Sequence, residues 1–219
     1  MAAPLVPRWR AVEHGTVEAG ALHELAVEVE NAGSAPWRTR GAEEGLFLSY
    51  HWLDERGNPI VWDGERTALE RVVAPGETLR QEMRVRAPIP PGSYRFAVDL
   101  VEEYRFWVAD LGNEPWEAAV DVLPRSGTPH VFGAEPDAAW LAHAAELHRE
   151  GYAAVGGAVD GLRDYPAGGG RSPRFPHPLV FPSLLPPLAP NCEVDGLPAW
   201  RPEDGEPFMY DGRLRLAPA

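Results

Sequence analysis

The chain has 219 residues, and its 33 acidic side chains outnumber its 20 basic ones, all arginine, giving a formal net charge of −13. This charge excludes a nucleic-acid backbone or an anionic lipid surface as the main partner, because both are repelled at long range. Hydrophobic residues make up 44% of the chain, which is enough to fill a core, so wholesale disorder is excluded as well.

The single cysteine, Cys192, excludes an internal disulfide and a metal cluster with several cysteine ligands. No stretch approaches the roughly 18 apolar residues of a transmembrane helix, and the first residues lack the apolar core of a signal peptide. We therefore expect a cytoplasmic protein without a membrane span. Gly156-Gly157 lacks the lysine and the strand-to-helix context of a phosphate-binding loop, and we expect no cofactor.

Short segments that alternate hydrophobic and polar residues, separated by turn residues, fill the first 123 positions. Segment 46–53 is apolar on both faces, which predicts a central strand, whereas segments 22–30 and 79–86 each have one charged face. The segments are 22–30, 46–53, 79–86, 94–100 and a final pair, 105–109 and 116–122. The pattern predicts a mainly β protein, with an immunoglobulin-like antiparallel β-sandwich over residues 1–123.

The sequence changes character after residue 123. Asp137 is suited to cap a helix that runs through Glu150 and stops at Gly151, and residues 153–159 form a short apolar segment. The predicted buried stripe of the helix is Trp140, Leu141, Ala144, Ala145 and His148. We therefore predict a linker, one helix and a short strand over residues 124–160.

Residues 161–219 hold 12 of the 24 prolines, which disfavours long helices and central strands. This segment also carries many large apolar side chains, which argues against full solvation. We predict a largely irregular, Pro/Gly-rich C-terminal extension that docks on the sandwich.

Motifs in a fixed order along residues 9–122 carry a resemblance to a known family. They are Asn31-Ala32-Gly33 with Trp37, the run 48–54, Pro75-Gly76-Glu77, Pro91-Gly92-Ser93-Tyr94 and the run 99–103. Together they resemble a bacterial immunoglobulin-like module that accompanies glycosyltransferases or methyltransferases of envelope polysaccharide synthesis, and more distantly a Trp-rich domain of an autophagy receptor. The resemblance implies a sandwich that binds or scaffolds, and it brings no catalytic residue.

A second, shorter resemblance lies in the C-terminal part. Trp140-Leu141 and the run 151–159 are similar to the helix and the Val-Gly-Gly strand of family-2 glycosyltransferases. The nucleotide-sugar half of that family, with its Asp-x-Asp metal site, does not precede these residues. The resemblance therefore implies a fragment of such an enzyme rather than a complete one.

Two groups of side chains in the predicted sandwich suit a sugar site. Such a site needs flat aromatic faces for the apolar C–H surface of the sugar and carboxylates or arginines for its hydroxyls. The candidate ligand-binding residues are Trp62 with Asp63 and Arg66, and Trp107 with Glu103 and Asp110. The alternative, that these rings pack in the core or bury the C-terminal extension, stays open, and His51 in mid-strand is interpreted as structural.

No combination of residues predicts a catalytic or metal site. His143, Glu146 and His148 lie on the predicted helix, but the histidines are five residues apart and point about 140° away from each other. Zinc-binding helices place their histidines four residues apart on one face. Cys192 lies in a proline-rich segment without the local signature of a catalytic thiol.

The leading hypothesis is a non-catalytic, carbohydrate-binding or scaffolding module of bacterial envelope polysaccharide metabolism. Its partner would be a glycan or another protein of envelope biosynthesis. A glycosyltransferase-related enzyme or remnant centred on residues 137–219 is one alternative, and a protein–protein interaction module is another. An open aromatic face on the sandwich would favour the first hypothesis over the others.

Overall fold

A computed structural model describes residues 3–41, 44–132, 138–158 and 208–215. The first strands are β1 (Pro7–Glu13), β2 (Val17–Glu18), β3 (Leu22–Asn31), β4 (Leu46–Leu53), β5 (Pro59–Val61), β6 (Thr67–Ala68) and β7 (Thr78–Arg86). They are followed by β8 (Gly92–Glu102), β9 (Phe106–Trp107), a 3-10 helix (Val108–Leu111), β10 (Trp116–Leu123), β11 (His130–Phe132), α1 (Ala138–Glu150), β12 (Ala154–Ala158) and β13 (Phe208–Arg215).

The chain divides into two compact units. One unit comprises Met1–Val17, Leu22–Arg86 and Ser93–Asp121, and the other comprises Glu18–Ala21, Ala87–Gly92 and Val122–Ala219. In the first unit β1, β3 and β7 pair antiparallel in the order β1-β3-β7. The second sheet has the order β2-β10-β8-β4-β5, with β6 also paired to β4 and β9 to β8. The predicted mainly β, sandwich-like fold followed by one helix is confirmed.

The interior of the sandwich follows from the alternation of side chains along its strands. Leu25, Val27 and Val29 of β3 are buried, while Glu24, Ala26, Glu28 and Glu30 alternate with them on the other face. β7 buries every second residue in the same way, and its exposed positions are mostly charged. Tyr50 and Trp52 of β4 reach across to this first sheet, where the Tyr50 hydroxyl accepts the Arg86 N–H at 2.8 Å and the Trp52 indole donates to the Arg86 carbonyl at 3.0 Å.

β4 is buried along its whole length, as predicted for a central strand. It pairs antiparallel with β8 over all eight residues, from Leu46 opposite Glu102 to Leu53 opposite Arg95. The predicted pairing of segments 105–109 and 116–122 with each other is wrong. β9 folds back on β8, and β10 lies beside β8 as well, because the 3-10 helix Val108–Leu111 carries the chain between them.

The second unit contains a parallel sheet in the order β11-β12-β13. β11, α1 and β12 follow one another in the chain, so the helix connects two adjacent parallel strands, as such pairs require. The short apolar segment 153–159 contains the strand β12 (Ala154–Ala158). β13 was not predicted; it runs over the proline-free residues 208–215 and occupies an edge of this sheet.

The buried side of α1 differs in part from the predicted stripe. Trp140, Ala144 and His148 are buried as predicted, but Leu141 is exposed and Leu147 is buried in its place. Residues 140, 144, 147 and 148 follow the i, i+4, i+7 and i+8 spacing of one helical face, and Leu141 lies beside that face. The helix ends as predicted at Gly151, whose φ is +122°; a Cβ there would lie 2.1 Å from the Ile89 methyl.

Several predictions concern residues outside the described ranges. The helix cap at Asp137, Cys192, and the docking of most of the extension 161–219 belong to this group. Within the part of the chain that is described, no helix is long and apolar enough to cross a membrane.

Candidate functional site

The outer face of the β4–β8 pair is buried, although it points away from the interior of the sandwich. In β4 the alternate residues Phe47, Ser49 and His51 face this side, and all are buried. In β8 the facing residues opposite Ser49 and Phe47 are Asp99 and Val101, also buried. This face therefore has a small core of its own, which other parts of the first unit must cover.

Two tryptophans from distant segments form that cover. Trp62 follows β5, and Trp107 ends β9, where it is opposite Val101 of β8. The His51 ring contacts both, with its centroid 4.1 Å from each indole, and it is nearly parallel to Trp62 at an interplanar angle of 23°. The two indoles meet edge to face at 6.3 Å. We call these three rings the aromatic cluster.

His51 is fixed in one orientation. Its Nδ1 hydrogen-bonds to the Trp62 carbonyl, and because a carbonyl only accepts, Nδ1 carries the proton. Burial of the ring lowers the pKa of His51 below its ordinary value, so the imidazole is neutral at pH 7. A neutral, hydrogen-bonded ring gives Trp62 a rigid support.

Arg66 joins the aromatic cluster to a set of polar groups. Its guanidinium carbon lies 4.9 Å from the centre of the Trp107 ring, a cation–π contact. Nε donates to Glu103 at 2.7 Å, Nη2 donates to Asp63 at 3.1 Å, and Nη1 donates to the Gly64 carbonyl at 2.7 Å. Burial favours the neutral form of Arg66, but the hydrogen bonds to the two carboxylates outweigh it and raise the pKa of the guanidinium.

Asp110 and Asp99 hold the segment that carries Trp107. Asp110 accepts the Trp107 N–H at 3.2 Å, and Asp99 accepts the N–H groups of Leu100 at 2.7 Å and Ala109 at 3.0 Å. Burial raises the pKa of the Asp99 carboxyl to about 6. Asp99 thus fixes the 3-10 helix Val108–Leu111 to β8, and Asp110 fixes the Trp107 backbone to the start of that helix.

The two indoles differ sharply in exposure. Trp107 is only 9% exposed, whereas Trp62 is 44% exposed. Since one face of Trp62 rests on His51, its accessible surface belongs to the opposite face and the ring edge. Trp62 therefore offers a flat aromatic surface to a ligand. His51 stacks on its other face, and Trp107 contacts it edge to face.

Five of the six predicted site residues lie together, and the sixth, Asp110, is joined to them only through the Trp107 backbone. The structure brings Trp62, Asp63, Arg66, Glu103 and Trp107 together, and it places Asp110 at the edge, bonded to the Trp107 backbone. Sequence reasoning did not include His51 in the site. The signal was available, because His51 and Ser49 occupy alternate positions of a strand that lacks a polar face.

The residue types of a Ser-His-Asp triad lie on this face without its geometry. The Ser49 hydroxyl donates to the Gly64 carbonyl at 3.1 Å, and in the described part of the chain His51 and Asp99 contact backbone groups and aromatic rings. A triad needs the histidine hydrogen-bonded to both other members. The arrangement holds loops in position and presents a surface, which suits binding.

The histidines of α1 serve the fold of the second unit. His148 has Nδ1 2.8 Å from the Tyr152 carbonyl and Nε2 2.9 Å from the Ser126 carbonyl, while His143 lies 3.9 Å from Glu146. Across residues 3–41, 44–132, 138–158 and 208–215, no three metal-ligating side chains converge on one point.

Comparison with known proteins shows limited likeness. No family model and no curated protein matches the sequence. Among solved structures, a β-glucuronidase from glycoside hydrolase family 2 aligns over 60% of this chain and 14% of its own, with 9% identity and a TM-score of 0.31. A family 123 glycoside hydrolase from Clostridium perfringens aligns over 54% of this chain and 24% of its own, with 10% identity and a TM-score of 0.29.

A third structure, the ApaA protein from Bordetella pertussis, aligns over 57% of this chain and 100% of its own, with 20% identity and a TM-score of 0.28. The chain thus spans a small part of both hydrolases. At these scores the likenesses carry no argument about family or activity.

Proposed function

We propose that the first unit is a non-catalytic carbohydrate-binding module whose ligand stacks on the exposed face of Trp62. The observation that carries the proposal is the support of this ring: Trp62 is 44% exposed, yet it is stacked on His51 and braced by Trp107. An aromatic ring that is rigid before binding loses little conformational entropy when a ligand covers it.

Polar groups beside Trp62 suit the hydroxyls of a sugar. Asp63 follows Trp62 directly, and its side chain is 69% exposed while one oxygen is held by Arg66. A carboxylate has about four acceptor positions, so Asp63 retains capacity for ligand hydroxyls. Glu103 and Arg66 are less exposed and mainly fix the position of Asp63.

The experiment is a titration of the protein with bacterial polysaccharides and defined oligosaccharides by calorimetry. Trp62→Ala should weaken binding by at least about thirtyfold, the effect of removing a central aromatic anchor. Trp62→Phe keeps a flat ring and should retain most of the affinity. Asp63→Asn should weaken binding, and the matched control Glu55→Gln, in the exposed turn between β4 and β5, should not.

Circular dichroism and thermal unfolding must show that each variant keeps its fold. If no polysaccharide or oligosaccharide binds to the wild-type protein, or if Trp62→Ala binds as well as wild type, the proposal is wrong. The wider setting, envelope polysaccharide metabolism beside a glycosyltransferase or methyltransferase, rests on the sequence resemblance alone. Deletion of the coding sequence with no change in surface glycans would refute that part.

A second candidate is favoured by the parallel β11-α1-β12 arrangement. Parallel strands joined by a helix are common in nucleotide-binding enzymes, so a glycosyltransferase-related activity of the second unit is the alternative. Nuclear magnetic resonance titration with nucleotide sugars tests it. Shifts confined to signals of residues 130–158 would favour this candidate, and the absence of any shift would dismiss it.

A further inference from the structure

The β8–β9 turn exposes a second aromatic ring near the aromatic cluster. Tyr104 is 80% exposed, the highest value among the exposed large hydrophobic side chains in the described ranges. Tyr104 precedes Trp107 by three residues, so their Cα atoms are at most about 11 Å apart. Its neighbour Glu103 reaches Arg66, which itself lies against Trp107. These contacts join the turn to the cluster through Glu103 and Arg66.

The conformation of this turn does not suit a tyrosine. Arg105 N–H donates to the Glu102 carbonyl at 3.0 Å, and Tyr104, the third residue of the turn, has a φ of +59°. Glycine or asparagine is the usual residue at such a position, and a bulky residue there costs roughly 1 kcal/mol. The stability of the turn therefore does not explain why a tyrosine is present.

The charged side chains near Tyr104 and the aromatic cluster are mostly acidic, and the arginines among them are paired with carboxylates. Arg66 is held by Glu103 and Asp63, and Arg105 is paired with Glu102 and stacked on Phe106. Asp110 adds a further carboxylate next to Trp107. Four acidic side chains thus surround two paired arginines, within a chain of net charge −13. This field repels an acidic ligand, and both guanidinium groups described beside these rings, Arg66 and Arg105, already pair with carboxylates.

We infer that the ligand is a neutral oligosaccharide of two or more units, with one unit on Trp62 and a further unit against Tyr104. This inference rests on the proposed function and extends it to the length and the charge of the ligand. Two separated rings bind successive units of one chain, so affinity rises with length until both rings are covered.

The test is a calorimetric titration with cello-, manno- and galacto-oligosaccharides of one to six units and with uronic-acid oligomers of the same lengths. Tyr104→Gly removes the ring and suits the positive φ, so the variant should fold at least as well as wild type. It should bind the longer neutral oligomers about tenfold more weakly and bind monosaccharides unchanged. Tyr104→Phe keeps the ring, so its affinity should still rise with the length of the oligosaccharide.

Val72→Ala is the matched control, since it removes another exposed apolar side chain, 52% exposed, from a different loop. Three outcomes are decisive. If Trp62→Ala abolishes binding while Tyr104→Gly binds every length like wild type, the inference is wrong and the proposed function stands. If uronic-acid oligomers bind more tightly than neutral ones, the charge argument is wrong. If wild type binds none of the sugars, the proposed function fails, and the inference fails with it.

Discussion

Replacing Asp99 with asparagine tests whether the outer face of the β4–β8 pair is a true core. Asp99 is fully buried, and burial raises the pKa of its carboxyl from 3.8 to about 6. A folded-state pKa above the unfolded value means that the folded protein binds the proton more tightly. The contribution of Asp99 to stability is therefore complete below pH 3.8 and is lost as the pH rises through about 6.

The size of this effect follows from the shift. A pKa difference of one corresponds to about 1.4 kcal/mol, so the rise from 3.8 to about 6 amounts to about 3 kcal/mol over the whole window. Asparagine does not titrate, and it also offers one acceptor oxygen where Asp99 accepts two N–H groups, from Leu100 and Ala109. The N–H left unpaired in the variant costs about 1–3 kcal/mol at every pH. The stability that protonation of Asp99 gives the wild type is missing from the variant only at acidic pH.

The assay is urea unfolding of wild type and Asp99→Asn between pH 4 and pH 7.5, followed by tryptophan fluorescence. The substitution should destabilise the protein by about 2 kcal/mol more at pH 4 than at pH 7. Other acidic groups titrate equally in both proteins and cancel in the difference. A destabilisation that stays constant over this range would show that Asp99 is solvated and that the outer face is not a core.

Three further substitutions or titrations address the same face. Glu103→Gln removes one charge of a largely buried ion pair and should cost about 1–2 kcal/mol in urea unfolding, while Glu44→Gln, in an exposed pair, should change stability by less than about 0.5 kcal/mol. Gly64→Ala would place a Cβ 2.6 Å from a backbone oxygen of β4 and should lower the melting temperature by roughly 10 °C, whereas Gly15→Ala, with nothing within 4 Å, should leave it unchanged. Burial lowers the pKa of His51, so the folded protein should lose stability as the pH falls below 6.5. In a nuclear magnetic resonance titration, the imidazole signals of His51 should titrate at lower pH than those of exposed histidines. Titration of His51 at or above pH 6.5 would contradict its burial against the indoles.

The sandwich was predictable because its strands carry strong local patterns. Leu25, Val27 and Val29 alternate with Ala26 and three glutamates, and this period of two specifies a half-buried strand regardless of its partners. β4 lacks a polar face, and this alone predicted its central place. The candidate site was predictable from chemistry, because aromatic rings beside carboxylates and an arginine are visible in the sequence as neighbours.

Other features depend on contacts between residues far apart in the chain. Ser49 and His51 mark one side of β4 as unusual, but the sequence near them does not name their partners. That His51 contacts both Trp62 and Trp107 follows from two loops meeting on one sheet face. The pairing of β9 with β8 depends on the 3-10 helix that follows β9, so two adjacent segments that both resemble strands did not pair with each other.

In α1, the periodicity of apolar residues predicted the buried side of the helix but not every residue on it. Leu141 and Leu147 are equally apolar, and both lie near the face defined by Ala144 and His148. Only the position of the neighbouring strands decides which of the two is covered. For the same reason β13 was missed, since its residues become a strand by pairing with β12 rather than by an alternating pattern of their own.

Because β4 is buried on both faces, its sequence is prone to aggregate whenever it is exposed in the cell. Residues 46–53 contain no proline, no glycine and no acidic or basic side chain other than one histidine, which is the composition of segments that stack into cross-β fibrils. In the native sandwich these residues are paired on both edges and covered by the aromatic cluster. Any substitution that loosens the loop carrying Trp62 therefore exposes an aggregation-prone segment, and such variants should accumulate as insoluble protein before they lose their fold in dilute solution.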